Sequence, residues 1–224
     1  MIQTVIFDMD GVIVDTEPVH RYAYFKQFNE LNITVTEEMY TSFTGFSTRN
    51  TFQKLKEIFV IEHEVEDLIQ RKRNIFNEAF DNKADLELLE GVESFIKELH
   101  QNGMQLILAS SASKVTIERV FSRFKLHDYF THVVSGEDFP KSKPDPAIFE
   151  HAASFSIAPK ESCIVIEDST NGIKAAKAAG IFCVGYNSIH SEAQDLSEAD
   201  VVINHFNELG FDVLKNIQSK LINN

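Results

Sequence analysis

The stretch Val5-Ile6-Phe7-Asp8-Met9-Asp10-Gly11-Val12 decides how the rest of the chain is interpreted. Its first three residues form an apolar run that is typical of a buried parallel strand. Two aspartates follow, and then a glycine, which lets the chain turn without a Cβ penalty. Ligands bind beyond the carboxyl ends of strands in an open parallel sheet, so this run predicts that Asp8 and Asp10 lie at a site. The alternative is a strand followed by an ordinary polar turn.

The composition indicates a globular protein with an acidic surface. The chain has 224 residues, 43% of them hydrophobic, and a formal net charge of -13. This charge argues against nucleic acid and anionic membranes as partners, but a local pocket and a metal ion can still bind an anionic substrate. We find no secretory signal and no run of membrane-spanning length, so we expect a cytoplasmic protein. No feature suggests a subunit interface, so we expect a monomer.

The order of predicted elements indicates an α/β core with an insertion. Residues 16–84 show helical apolar spacing and no convincing strand, which predicts a small helical bundle after the first strand. From residue 85 onward, strands and helices alternate as in a doubly wound, mostly parallel, Rossmann-like sheet. We therefore predict a core domain of residues 1–15 and 85–224, and a helical domain of residues 16–84.

Three later segments place polar side chains at or just after predicted strand ends. These segments are Ser110-Ser111, Lys143-Pro144 and Glu167-Asp168. Hydroxyl and backbone N–H groups bind anions, a lysine neutralises phosphate, and carboxylates are ligands that Mg²⁺ prefers. Each segment also has an ordinary explanation: a helix N-cap for the serines and for the acids, and an exposed loop for the lysine. The mixture of all three favours a phosphate and metal site at one edge of the sheet.

In these segments the chain resembles the haloacid dehalogenase-like superfamily, in the branch that holds small sugar-phosphate phosphatases and β-phosphoglucomutase. The resemblance extends over nearly the whole chain. The matching motifs, in order, are Asp8-Met9-Asp10-Gly11-Val12, Ser110, Lys143 with Pro144, and Glu167-Asp168. The resemblance implies that the helical domain is a cap over the site.

The resemblance also implies an enzyme, a Mg²⁺-dependent phosphohydrolase that acts on a small phosphorylated metabolite such as a sugar phosphate. Asp8 is then the nucleophile that forms an aspartyl-phosphate, and Asp10 is the general acid and base. Lys143 and Ser110 balance charge on the phosphoryl oxygens. The expected metal ligands are Asp8, the Asp10 main chain, Glu167 and Asp168. An acid at position 10 sets aside dehalogenation, because the dehalogenases lack it.

Substrate contacts are expected mainly from the helical domain. The expected set is Thr16, His20, Arg49 and Lys72, together with Ser111 of the core. β-Phosphoglucomutase carries an arginine directly after a Gly-x-Ser, whereas here Gly45-Phe46-Ser47 is followed by Thr48 and only then by Arg49. This departure favours a phosphatase. Three alternatives stay open: a mutase, a catalytically silent binding protein on the same scaffold, and a core-facing or hinge-facing role for His20.

Overall fold

The computed structural model describes residues 1–43, 46–188 and 194–222, with side chains up to residue 217; Gly45 of the Gly-x-Ser segment therefore lies outside the described residues. The chain divides into two compact units: a core unit, Met1–Asp15 with Glu87–Asn224, and an inserted unit, Thr16–Leu86. The later boundary falls two residues after the predicted one. Just after this boundary the chain is attached to the core unit, since Leu88 forms a β-bridge with Val14 and the Leu89 N–H donates to the Ile13 carbonyl at 2.9 Å.

The inserted unit is helical throughout its described part. Its helices are α1 (Glu17–Glu30), α2 (Glu37–Thr41), α3 (Thr48–Ile58) and α4 (Val65–Asn82). Apolar residues recur at helical spacing on α1, α3 and α4, and these faces meet in a core that includes Phe28, Phe52 and Leu68. Thr16 directly precedes α1 and is buried, but its side chain makes no capping hydrogen bond.

The core unit is built on a parallel sheet, to which the described residues contribute six strands. They are β1 (Thr4–Phe7), β2 (Gln105–Ser110), β3 (His132–Ser135), β4 (Cys163–Glu167), β5 (Phe182–Tyr186) and β6 (Val201–Ile203). The order is β3-β2-β1-β4-β5-β6, and every neighbouring pair is parallel. All side chains of β1, β2 and β4 are buried, which explains their continuous apolar runs. The predicted doubly wound sheet is confirmed.

Helices cover both faces of this sheet. They are α5 (Val92–Gln101), α6 (Lys114–Phe124), α7 (Ala147–Ser154), α8 (Thr170–Ala178) and α9 (Phe211–Ile222). On one face, Phe149 of α7 and Ile173 of α8 share a cluster with Ile6 of β1. On the other face, the ring of Phe7 lies 6.0 Å from that of Phe95 in α5. The alternation of side chains along β1 thus supplies both cores.

The last helix begins later than the sequence pattern indicates. We predict one helix from about residue 206 to 221, but the structure has a 3₁₀ turn at Phe206–Glu208 and then α9. The Glu98 carboxylate accepts a hydrogen bond from the Phe211 N–H at 3.0 Å, which satisfies a free donor at the new helix start. Within the described part of the chain, no helix combines the length and apolar character needed to cross a membrane.

The strand order places a switch point at β1. The chain adds β2 and β3 on one side of β1, and then β4, β5 and β6 on the other. Such a reversal opens a crevice at the carboxyl ends of the adjoining strands, where α/β proteins bind ligands. The polar residues at the carboxyl ends of β1, β2 and β4 therefore lie at the same edge of the sheet.

Candidate active site

The strand register brings two acidic side chains side by side. Phe7, the last residue of β1, pairs with Leu108 of β2 and with Ile166 of β4. Asp8 is the next residue after Phe7, and its N–H donates to the Ile166 carbonyl at 3.0 Å. Glu167 ends β4, so it lies beside Asp8 at this edge of the sheet.

Lys143 links these strand ends through its ammonium group. Its Nζ lies 2.5 Å from Asp8 Oδ1 and 2.7 Å from Glu167 Oε1, and it donates to the Ala109 carbonyl at 3.2 Å. A lysine ammonium has three donors, and these three acceptors match them. The face of the Phe149 ring lies 4.7 Å from Nζ, which adds a cation–π contact. Lys143 is only 9% exposed, so it is not an exposed loop lysine.

Glu167 is fixed through both of its carboxylate oxygens. Oε1 accepts from Lys143, and Oε2 accepts from the N–H and the hydroxyl of Ser169, each at 2.9 Å. The residue is 1% exposed. Gly172 leaves the space for this carboxylate, because a Cβ there would lie 1.8 Å from Oε1. The N-cap of α8 is Ser169, whose hydroxyl accepts from the Gly172 N–H at 3.0 Å, so neither predicted acid is the cap.

Asp168 lies against the turn that follows Asp10. A Cβ at Gly11 would lie 2.0 Å from Asp168 Oδ2, and Gly11 also has a φ of +80°, which side-chain-bearing residues rarely adopt. The Ser188 hydroxyl donates to Asp168 Oδ2 at 3.4 Å. Close approach and backbone conformation therefore both require glycine at position 11. The structure brings Asp8, the Asp10–Gly11 turn and Asp168 together.

The charge at this edge of the sheet is unbalanced. Burial raises the pKa of Asp8 to about 7; Lys143 opposes this effect, whereas Glu167 and Asp10 add to it. Burial also raises the pKa of Asp168 well above its usual value, with further increases from Glu167 and Asp8. Burial alone lowers the pKa of Lys143, but the charges of Asp8 and Glu167 raise it above the ordinary value. The site thus holds more negative charge than its ammonium offsets.

Ser110 ends β2, and Ser111 begins the loop that leads to α6. Ser110 is fully buried, and its hydroxyl accepts from the Ala112 N–H at 3.0 Å, whereas Ser111 is exposed. The N-cap of α6 is Ser113, whose hydroxyl accepts from the Thr116 N–H at 3.3 Å. Neither predicted serine is therefore the cap; Ser110 is the last residue of β2, and Ser111 lies on the loop before α6.

Three of the predicted substrate residues, His20, Lys72 and Arg49, form pairs within the inserted unit. Lys72 Nζ lies 2.5 Å from His20 Nδ1, and Lys72 is 3% exposed. The Lys72 ammonium also lies 4.7 Å from the centre of the Tyr24 ring. Arg49 is exposed and donates to Glu66 at 2.6 Å. The structure thus pairs His20 with Lys72, and contact of Thr16, His20, Arg49 and Lys72 with substrate stays a prediction.

Sequence reasoning missed Ser169 and assigned no role to Gly172. Ser169 directly follows the acid pair, and serine is among the residues most favoured at a helix N-cap, which is the signal that could have identified it. The apolar spacing from Gly172 to Ala179 predicts a helix that begins at Gly172, whereas α8 begins at Thr170. With the earlier start, Gly172 lies in the first turn of the helix, against the Glu167 carboxylate.

The sequence matches the family of haloacid dehalogenase-like hydrolases over residues 5–186. The phosphorylated carbohydrates phosphatase of Thermotoga maritima is 33% identical over 208 residues, which cover 89% of this chain and 92% of that protein. The β-phosphoglucomutase of Bacillus subtilis is 28% identical over 217 residues, covering 95% and 93%.

A crystal structure of CbbY from Rhodobacter sphaeroides in complex with phosphate is 25% identical to this chain. It covers 96% of this chain and 100% of its own, with a TM-score of 0.87. Together the relatives support phosphohydrolase activity. Since the family match spans most of the sequence and the Thermotoga relative shares a third of its residues, this chain belongs to the haloacid dehalogenase-like hydrolases.

Proposed function

We propose that this protein is a Mg²⁺-dependent phosphohydrolase that acts on a small phosphorylated metabolite, in the first place a sugar phosphate. The observation that carries the proposal is the buried Lys143 ammonium held between Asp8 and Glu167 where parallel strands end. The phosphatase of Thermotoga maritima, named for phosphorylated carbohydrates, supports the substrate class. The cytoplasmic location and the monomeric state stay predictions from the sequence.

Asp8 is the proposed nucleophile. The ammonium of Lys143 holds Oδ1, which restrains the carboxylate and leaves Oδ2 as the oxygen that would attack phosphorus. Attack forms the acyl-phosphate bond and breaks the ester bond to the leaving oxygen. Because its pKa is raised, Lys143 keeps its proton throughout and offsets charge on the phosphoryl group.

Asp10 is the proposed general acid and base. It is half-buried and begins a turn in which the Gly11 N–H donates to the Val14 carbonyl at 2.9 Å and the Ile13 N–H donates to the Met9 carbonyl at 2.8 Å. Asp10 gives its proton to the leaving oxygen. It then takes a proton from the water that attacks the aspartyl-phosphate, so that inorganic phosphate leaves and Asp8 is restored.

The carboxylates fit a magnesium ion by their chemistry and charge. Asp8, Asp168 and the Asp10 carbonyl offer hard oxygen donors. Burial, and after it the neighbouring carboxylates, raise the pKa values of Asp8 and Asp168, and a bound cation would favour their ionised forms. In the described ranges, no three acidic, histidine or cysteine side chains form a metal-holding group. Mg²⁺ is commonly bound by one or two carboxylates with waters and a substrate phosphate, which agrees with this set. Bound there, it would neutralise charge on the phosphoryl oxygens.

Glu167 is proposed to orient Lys143. Oε1 accepts from Lys143 and Oε2 accepts two hydrogen bonds from Ser169, so three of the roughly four acceptor positions of this carboxylate are occupied. Contact with the ion through a water would leave all three hydrogen bonds in place. This assignment makes the Glu167 carboxylate a fixed counter-charge rather than an inner ligand.

The second candidate function is that of a β-phosphoglucomutase, which the Bacillus subtilis relative supports. Both reactions pass through the same aspartyl-phosphate and differ in the acceptor, which is water in one and a sugar hydroxyl in the other. The core unit alone does not distinguish them, because it supplies the phosphoryl-transfer groups and not the sugar contacts.

The test is a panel of phosphate esters that includes β-glucose 1-phosphate, incubated with purified protein and Mg²⁺. We expect release of inorganic phosphate that is lost in Asp8→Asn and on removal of Mg²⁺ with a chelator. Formation of glucose 6-phosphate with little free phosphate would establish the mutase instead. No turnover of any ester and no isomerised product would reject both enzymes and favour a binding protein.

A further inference from the structure

We propose that the turn after β3, residues 135–138, holds the loop after β2, residues 110–114, in the geometry needed for phosphoryl transfer. The inference rests on the phosphohydrolase function proposed above, for which the loop after β2 supplies the anion-binding donors. It adds Ser135, Gly136 and Glu137 as positioning residues, none of which stands in the four motifs.

Ser135 connects the two segments through a buried hydroxyl. It pairs with Ser110 in the register of β2 and β3, so both segments leave the sheet at the same level. Its Oγ donates to the Ala112 carbonyl at 2.7 Å and accepts from the Glu137 N–H at 3.2 Å. Ser135 is 1% exposed, so water does not replace these bonds when the hydroxyl is removed.

Gly136 supports the loop by direct backbone packing. A Cβ at this position would lie 3.0 Å from the Ser111 Cα and 3.3 Å from the Ser111 carbonyl oxygen. These are backbone atoms, so no flexible side chain can rotate away to make room. A larger residue therefore requires Ser111 or the turn to shift by a few tenths of an ångström.

Glu137 fixes the far end of the loop. Its Oε2 accepts from the Lys114 N–H, the first of α6, at 2.9 Å. The Lys114 ammonium is also paired with Asp138, the next residue of the turn, at 2.6 Å. Glu137 is exposed, so we expect a smaller contribution from it than from the buried Ser135.

The consequence for catalysis follows from preorganisation. The Ser110 hydroxyl accepts from the Ala112 N–H. Ser110, the proposed anion contact, is therefore already connected to Ala112, the residue that Ser135 holds. Donors aimed at the phosphoryl oxygens stabilise the transition state only if they need not move when charge develops. A misplacement of about 1 Å can cost on the order of 100-fold in rate.

The experiment compares loop-holding variants with a matched control. Ser135→Ala, Gly136→Ala and Glu137→Ala remove the three supports, and Glu137→Gln keeps an acceptor oxygen. The control is Ser156→Ala. The Ser156 hydroxyl accepts from the Ala158 N–H at 3.1 Å and contacts Thr4 Oγ1 at 2.8 Å, where β1 begins and not where it ends.

Each variant is assayed with p-nitrophenyl phosphate and Mg²⁺ for kcat and KM, for competitive inhibition by inorganic phosphate, and for thermal melting. We expect Ser135→Ala and Gly136→Ala to lower kcat/KM by about tenfold or more and to weaken phosphate inhibition. We expect Glu137→Ala to lose about threefold, Glu137→Gln to recover most of that loss, and Ser156→Ala to stay within about twofold of the parent.

The outcomes separate this inference from the proposed function. If the parent protein hydrolyses phosphate esters but Ser135→Ala and Glu137→Ala keep its kcat/KM and its phosphate inhibition, the inference is wrong and the function stands. An equal loss in Ser156→Ala would show an effect of stability alone and would also overturn it. If the parent protein hydrolyses no phosphate ester, the proposed function fails and the inference fails with it. If Gly136→Ala does not fold, the variants Glu137→Ala and Glu137→Gln still test the inference, because Glu137 is exposed.

Discussion

Gly11→Ala tests whether the approach of Asp168 to the first turn is needed for metal binding. The same substitution at Gly103 is the matched control. Both glycines have a positive φ, +80° at Gly11 and +74° at Gly103, but only Gly11 has a neighbour in the way of a Cβ. At Gly11 that Cβ would lie 2.0 Å from Asp168 Oδ2, whereas at Gly103 nothing lies within 4 Å.

The expected magnitudes follow from these two environments. A left-handed backbone costs a residue with a side chain roughly 1–2 kcal/mol, so both variants should lose about that much stability. For a chain of this size, that corresponds to a melting temperature lower by roughly 2–8 °C. At Gly11 alone, Asp168 must also move by more than 1 Å to reach an ordinary contact of 3.4 Å. A shift of that size in a catalytic group can cost on the order of 100-fold in rate.

The assay measures phosphate release against Mg²⁺ concentration, together with the melting temperature with and without Mg²⁺. We expect Gly103→Ala to keep the parent's kcat/KM within about twofold and its stabilisation by Mg²⁺, which is about 2.7 kcal/mol at 100 times Kd. We expect Gly11→Ala to lose about 100-fold in kcat/KM and most of the stabilisation by Mg²⁺. The reasoning is refuted if the two folded variants have the same activity and the same response to Mg²⁺.

Three further changes act on the charge cluster. Asp8→Asn should abolish phosphate release, and it should also raise the melting temperature of the metal-free protein at pH 8. Because the pKa of Asp8 is raised in the folded protein, ionising this carboxyl destabilises the fold. The destabilisation grows from about pH 4 to pH 7 and reaches about 4 kcal/mol. If Asp8→Asn raises the melting temperature equally at pH 4 and pH 8 in chelator-treated samples, this reasoning is wrong. Lys143→Met leaves two buried carboxylates without their counter-charge, so we expect a loss of roughly 3–5 kcal/mol in denaturant unfolding and no measurable turnover. Gly172→Ala should lower kcat by about tenfold or more by displacing Glu167, although alanine is favoured by about 1 kcal/mol in a helix; a more stable variant with full activity would show that Glu167 tolerates the shift.

The sheet was predictable because its strands are buried on both faces. Runs such as Val5-Ile6-Phe7 and 163–166 have no polar residue to break them, and glycine or proline stands near many of their ends. The alternation with helical spacing then allows little besides a parallel sheet. Helix boundaries were less predictable. The start of α9 depends on Glu98, a residue more than a hundred positions away in the chain, so local pattern alone placed it too early.

The composition of the candidate site was predictable, but its hydrogen bonding was not. Aspartate, lysine and acid pair each follow a strand, so their common edge could be inferred from chain order. That Lys143 divides its donors between Asp8 and Glu167 depends on β4 lying beside β1, and strand order is not written in any local pattern. The roles of Gly11 and Gly172 depend equally on distance, since each makes room for a carboxylate that only folding brings near.

The same reasoning explains why Ser135 escaped notice. In the sequence, Ser135-Gly136-Glu137 is an ordinary turn, and no spacing relates it to Ser110. Only the pairing of β2 with β3 places the two serines at one level, and only the close packing at Gly136 shows that the turn supports the loop. Residues that act on the substrate have side chains whose chemistry can be recognised, whereas residues that hold them in place are recognised by what they touch. A sequence therefore indicates the residues that act on the substrate more readily than the residues that position them. The variants at the turn after β3 measure directly how much catalysis depends on such positioning residues.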